Sequence, residues 1–175
     1  MKFIPQSVPD VVLIEPNSHG DDRGYFLETF RQDLFEKAIG YKVSFVQDNE
    51  SKSSRGVLRG LHYQMPPFTQ AKLVRVIQGS VLDIVVDIRR SSPTFGQHVA
   101  VKLTGINKNQ LFVPHGFAHG FLVLSDSAIV CYKTDNYYSK DSERGIAYND
   151  NKLAIDWRLK LNEILVSDKD KVNPN

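Results

Sequence analysis

The residues best suited to chemistry cluster in one stretch, Arg55-Gly56-Val57-Leu58-Arg59-Gly60-Leu61-His62-Tyr63-Gln64, with Lys72 in the apolar run that follows. An imidazole can take and return a proton near neutral pH, and an ammonium group can stabilise a developing oxyanion. A His and a Lys converging in one pocket would be a base beside a fixed positive charge. Alternation along an extended segment puts Arg59, Leu61 and Tyr63 on one face and Gly60, His62 and Gln64 on the other. His62 and Arg59 therefore start on opposite faces, unless a bulge at Gly60 re-aims one of them.

The elements that must position these groups read mostly as β. Short β-branched runs at Val11–Ile14, Tyr25–Phe30, Lys42–Gln47, Val57–Tyr63, Lys72–Ile77 and Val81–Ile88 are separated by turn residues. His98–Leu103, Gln110–Val113, Gly120–Leu124 and Ala128–Thr134 continue the series, and Gln78-Gly79-Ser80 looks like a tight hairpin loop. One helix is expected over Arg31–Ile39, where Leu34, Phe35 and Ala38 recur at helical spacing before Gly40. The tail from Leu153 to Val166 carries Trp157, Leu159, Leu161, Ile164 and Leu165 and is expected to pack on the sheets. This pattern predicts an all-β jelly-roll barrel or sandwich with a few short helices. No linker or repeat divides the 175 residues, so one domain spanning 1–175 is expected.

Composition narrows the function classes. A formal net charge of +2, with basic residues scattered singly or in pairs, offers no stripe for nucleic acid, though a local pocket for one anion remains open. Cys131 is the only cysteine, which excludes an intramolecular disulfide and a thiolate metal cluster. The N-terminus has no apolar leader, and no run approaches membrane-spanning length. A cytoplasmic protein with no membrane partner is expected.

Two segments resemble the motifs of cupin barrels, which often hold a metal on three histidines and a carboxylate. Gly56 is followed after five residues by His62, and Pro114-His115-Gly116-Phe117-Ala118-His119 has the Pro-x-Gly-x-x-His spacing. The ligand pattern fails where a metal would need it. Gln64 stands two residues after His62, and Phe68, Thr69 and Gln70 occupy the expected carboxylate positions. A neutral amide is a poor substitute for imidazole, and two separated histidines do not complete a site. A metal-free pocket in a cupin-like barrel is the expectation.

Ordered motifs along almost the whole chain resemble the dTDP-4-dehydrorhamnose 3,5-epimerase family. They are Asp22-Arg23-Gly24-Tyr25-Phe26-Leu27-Glu28, Gln47-Asp48-Asn49, the Arg55–Gln64 stretch, Lys72-Leu73-Val74-Arg75-Val76 and Val86-Asp87-Ile88-Arg89. Ser91-Ser92-Pro93-Thr94-Phe95-Gly96, Pro114 to Phe121 and Ser167-Asp168-Lys169-Asp170 complete the set. The resemblance implies a cofactor-independent epimerase of a dTDP-linked 4-keto-6-deoxy sugar, on the route to dTDP-L-rhamnose. Hydrogens at C3 and C5 flank the C4 ketone, so a base can remove either if the enolate is stabilised, and an acid across the ring completes inversion.

The resemblance also implies the roles. His62 is the base, Asp170 orients it, Lys72 stabilises the enolate and Tyr132, helped by the charge of Lys72, is the acid. Arg59 and Arg23 suit the diphosphate, because a guanidinium presents paired donors. Gln47, Asn49 and Glu28 would hydrogen-bond the thymidine, with Phe26 and Tyr138 stacking on the base. His119 lines the sugar site, with Glu143 and Lys169 at its edge. The Arg23–Glu28 segment would reach into a partner's pocket, which implies a homodimer.

Taken singly, each residue has a duller explanation. A barrel histidine is commonly a hydrogen-bonded core residue, a strand lysine a solvated one, and Asp170 would belong to a frayed terminus. Two rival functions stay open: a C3-only epimerase of a related nucleotide sugar, and a cupin-like module that binds such a sugar without turnover. A binder has no need of a base paired with an acid, so the joint presence of His62, Lys72, Tyr132 and Asp170 weighs against the second.

Overall fold

A computed structural model describes residues 1–175. Its elements run β1 (Lys2–Pro5), β2 (Val12–Glu15), β3 (Ser18–Asp21), β4 (Gly24–Leu27), α1 (Gln32–Ile39), β5 (Gln47–Ser54), β6 (Leu58–Gln64) and β7 (Lys72–Gln78). They continue with β8 (Ser80–Asp87), β9 (His98–Thr104), β10 (Gln110–Val113), β11 (Phe117–Val123), β12 (Ser127–Thr134), β13 (Glu143–Gly145) and α2 (Asp168–Lys171). A six-stranded sheet, in the order β1-β2-β10-β7-β12-β5, faces a five-stranded sheet in the order β13-β6-β11-β8-β9, and β3 and β4 form a separate hairpin. The strand pairs in all three sheets are antiparallel, giving the expected cupin-like jelly-roll sandwich.

Alternation along the strands divides the apolar residues into layers. Val81 and Val85 of β8 join Val74, Val76, Leu111, Phe117, Phe121 and Val130 between the sheets. Leu82, Ile84 and Val86 face the other way and pack with Leu58, Leu61 and Trp157 of the tail. Burial on both faces explains why β8 reads as a nearly continuous apolar run. The helix α1 inserts Phe35 against Phe112, their rings 5.0 Å apart and nearly perpendicular, over a third cluster with Val43 and Leu73. The Gly40 N–H closes α1 on the Glu36 carbonyl at 2.9 Å. No helix is long and apolar enough to cross a membrane.

Two expectations are corrected. Lys42–Phe45 is not a strand; Val43 and Phe45 pack beneath α1, and β5 begins at Gln47. The polar sequence of β5 hid it, because its inward residues Gln47, Asn49 and Ser51 line a cleft and Ser53 is buried against Arg59. Gln78-Gly79-Ser80 is not a hairpin loop either. β7 and β8 lie in opposite sheets, so Gly79 turns a corner of the sandwich.

Candidate active site

At one end of the sandwich, polar side chains replace the apolar filling between the sheets. Burying such groups is tolerable only if they are paired or open to solvent. A cavity of ≈ 650 Å³ there is lined by Asn49, Arg59, His62, Lys72, His119, Tyr132, Lys169 and Asp170, among others. A smaller one of ≈ 250 Å³ shares Asn49, His62, Lys72 and Tyr132 and adds Gln47, Gln64, Tyr138 and Glu143. A larger cavity of ≈ 990 Å³ opens beside Arg89 and Phe95, but none of the candidate site residues lines it.

The strand β6 brings both His62 and Arg59 to the cavity, through the bulge at Gly60 that the sequence left open as the exception to strict alternation. Along β11, His119 pairs with His62 and Phe121 with Arg59, so a step of two residues on β11 matches a step of three on β6. This bulge restores parity: Leu58 and Leu61 both join the outer apolar layer, while Arg59 and His62 share the inner side. Gly60 permits it, with φ of 131° and its α-carbon so near β11 that a Cβ would lie 2.5 Å from the Gly120 Cα.

His62 Nε2 lies 2.6 Å from Asp170 Oδ1, and Asp170 is only 4% exposed. The tail delivers this carboxylate: Leu165 donates to the Gly56 carbonyl and accepts from the Leu58 N–H, and Ser167 Oγ accepts from the Asp170 N–H at 3.1 Å. Burial pushes the Asp170 carboxyl up, but the His62 hydrogen bond and charge, the Gly60 N–H and Ser167 outweigh it and hold it below the usual range. The pair fixes the ring so that Nε2 meets the carboxylate and Nδ1 is the nitrogen left for proton transfer.

Lys72 reaches inward from β7. Burial lowers its ammonium to about 8, against the opposing charges of Asp83 and Glu143. Both carboxylates are committed elsewhere. Asp83, fully buried, takes His119 Nε2 at 2.9 Å and 3.1 Å, and Glu143 takes Lys169 together with the Tyr138 hydroxyl at 2.6 Å. Lys72 is thus a cation held near neutrality's upper edge, able to meet a new negative charge. On β12, the neighbouring strand of the same sheet, burial raises the Tyr132 phenol, the charge of Arg59 lowers it and that of Glu143 raises it. Arg59 is thus a cation that favours the Tyr132 phenolate, and Lys72 lines the same cavity. Arg59 Nε is itself held by Ser53 Oγ at 3.0 Å.

Comparison with known proteins decides the family. The model of the dTDP-4-dehydrorhamnose 3,5-epimerase family matches residues 5–175. The chain belongs to the dTDP-4-dehydrorhamnose 3,5-epimerase family. It is 56% identical to that enzyme of Shigella flexneri over 97% of this chain and 93% of the relative. The crystal structure of the enzyme from Elizabethkingia anophelis superposes with a TM-score of 0.96 at 46% identity, covering 99% of this chain and 95% of the other. The enzyme of Legionella pneumophila, solved in complex with dTDP-4-keto-L-rhamnose, superposes at 0.95 with 48% identity, covering 99% and 91%. The fold and the isomerase class expected from the sequence are those of this epimerase family.

Eleven of the fourteen site candidates line the two connected cavities of this epimerase chain, and Arg23, Phe26 and Glu28 do not. Arg23, Phe26 and Glu28 are exposed on or just after the β3–β4 hairpin, which touches the body where Lys108 Nζ donates to the Tyr25 hydroxyl at 2.8 Å. Arg23 meets Asp21 at 2.5 Å, and the rings of Tyr25 and Phe26 are 60% and 72% exposed. Two supporting residues escaped the sequence reading. Ser53 was hidden in the polar strand. Asp83 had a signal, a lone carboxylate within Val81-Leu82-Asp83-Ile84-Val85, since such a charge is buried only when paired.

Proposed function

We propose that this chain inverts C3 and C5 of dTDP-4-dehydro-6-deoxy-D-glucose, giving dTDP-4-dehydro-L-rhamnose for dTDP-L-rhamnose synthesis. The observation that carries the reading is a carboxylate-oriented imidazole, His62 with Asp170, sharing one cleft with the unpaired cation Lys72 and the phenol Tyr132. His62 Nδ1 removes the hydrogen at C3 or C5, and the bonding electrons move onto the C4 oxygen. Lys72 stabilises that enolate oxygen. Tyr132 returns a proton to the opposite face as the C4 carbonyl re-forms, and before the second centre reacts His62 gives up its proton to solvent and the phenolate takes one. His119, oriented by Asp83, contacts the sugar.

Arg59 and Arg23 bind the diphosphate, Gln47, Asn49 and Glu28 the thymidine, and Tyr138 and Phe26 its ring. The working unit in this reading is a homodimer of domains spanning 1–175, in which the hairpin with Arg23, Phe26 and Glu28 closes the partner's cleft. The exposed Tyr25 and Phe26 rings on a short hairpin support it, because apolar surface of this kind marks a contact. No metal or organic cofactor takes part, since enolate stabilisation falls to Lys72. A cytoplasmic setting without nucleic-acid partners completes the reading, supported by the lone Cys131 and the net charge of +2.

Incubation with dTDP-4-keto-6-deoxyglucose in heavy water, followed by NMR, tests the reading. Deuterium at both C3 and C5 with formation of the L-sugar supports it. Deuterium at C3 alone assigns the chain to the C3-only reaction, and deuterium at neither assigns it to binding without turnover.

A further inference from the structure

Gln64 stands where a metal-binding cupin would place a ligand, and its side chain, 8% exposed, is spent on the backbone instead. Its Oε1 accepts from the Ser139 N–H at 2.7 Å, and its Nε2 donates to the Phe68 carbonyl at 2.8 Å and reaches the Tyr137 carbonyl at 3.4 Å. One amide group therefore grips the chain on both sides of Tyr138. This residue lies in the connection between β12 and β13, whose neighbouring Asn136 is tied by Gln70 Nε2 to its carbonyl and by its own Nδ2 to Pro67. The Tyr138 N–H donates to Gln47 Oε1 at 3.2 Å, and its hydroxyl donates to Glu143 Oε2 at 2.6 Å. Gln64, Tyr138, Glu143 and Gln47 all line the smaller cavity, beside His62, Lys72 and Tyr132.

We infer that Gln64 is a positioning residue that sets the Tyr138 wall of the cleft and thereby the affinity for the nucleotide part of the substrate. This rests on the epimerase reading above. A short connection without regular structure has few ways to hold an aromatic ring in one place. The two-sided amide supplies the missing constraint, because a buried carbonyl and N–H left without partners would be costly. Only Gln offers an acceptor and donors together at this reach. A carboxylate would keep the acceptor for Ser139 but turn a second oxygen toward the Phe68 and Tyr137 carbonyls. Protonating that carboxylate would restore one donor.

The test compares wild type, Gln64→Glu, Tyr138→Ala and the double variant for kcat, KM and dTDP affinity, with melting temperatures measured in parallel. Gln64→Glu is expected to raise KM and the dTDP Kd about tenfold while kcat stays within about threefold. Its deficit relative to wild type should shrink as pH falls from about 8 to about 6, because a buried carboxyl regains its proton in that range. The double variant should bind no more weakly than Tyr138→Ala alone, since Gln64 acts through Tyr138. Where Gln64→Glu does not fold, Gln64→Met, which keeps the length and removes both polar atoms, carries the same comparison. Multiplying losses in the double variant, or a fall in kcat with KM unchanged, would overturn the clamp. An inactive wild type in the same assay would instead overturn the epimerase reading, so the two failures are distinguishable.

Discussion

Arg59 and His62 stand three residues apart on β6 and face the same cleft, because a bulge opposite Gly120 places one extra residue between them on β6. A guanidinium and an imidazole from one strand thereby line a single cavity. The bulge depends on Gly60, where a Cβ would meet the Gly120 Cα at 2.5 Å and the His119 carbonyl oxygen at 2.8 Å. We expect Gly60→Ala to cost at least about 2 kcal/mol and to lower turnover of the folded fraction at least about tenfold. Denaturant melts and kcat per folded molecule check both halves. A variant with wild-type stability and turnover would show that the register shift is not needed.

Burial lowers the Lys72 ammonium to about 8, so an alkaline limb in activity is expected. In the proposed mechanism Lys72 stabilises the enolate only when protonated, so kcat/KM should fall as pH rises through about 8. Lys72→Met should lose about 10²–10³-fold at pH 7, as expected for removal of an oxyanion partner, and should lack the limb. A pH profile of kcat/KM for both proteins measures this. An unchanged limb in Lys72→Met would assign the titration to another group.

Asp170 is buried and its carboxyl is held below the usual range once the His62 contact outweighs burial. Its removal should leave the His62 ring free to rotate or change tautomer. We expect Asp170→Asn to lower kcat by about 10²–10⁴-fold with dTDP affinity nearly unchanged. Folding should also respond to pH with a definite sign. A depressed carboxyl contributes stability above its unfolded value and loses it as pH falls through the folded one, so wild type should lose more stability on acidification than Asp170→Asn. Parallel acid melts of the two proteins read that difference.

The apolar strands were legible because they alternate or, like β8, are buried on both faces. Gln110–Val113 and the α1 boundary at Ile39 coincide with the reading from sequence. β5 was not legible, since its inward residues Gln47, Asn49, Ser51 and Ser53 are polar and carry no apolar period. Gly60 on β6 marked where a bulge could turn Arg59 and His62 the same way, but whether it forms depends on Gly120 across the ladder. Asp170 looked like a frayed end because the bonds of Leu165 to Gly56 and Leu58 join segments about a hundred residues apart. The roles of His62, Lys72 and Tyr132 came from family resemblance, and the cleft brings those three side chains together.

The most direct measurement is hydrogen exchange by His62→Ala. The variant is incubated with dTDP-4-keto-6-deoxyglucose in heavy water, and its dTDP affinity is measured by calorimetry alongside. With His62 as the base, deuterium incorporation at C3 and C5 should fall by about 10²–10⁴-fold while dTDP binds within a few-fold of wild type. Wild-type exchange rates in a variant that binds dTDP normally would remove His62 from the mechanism.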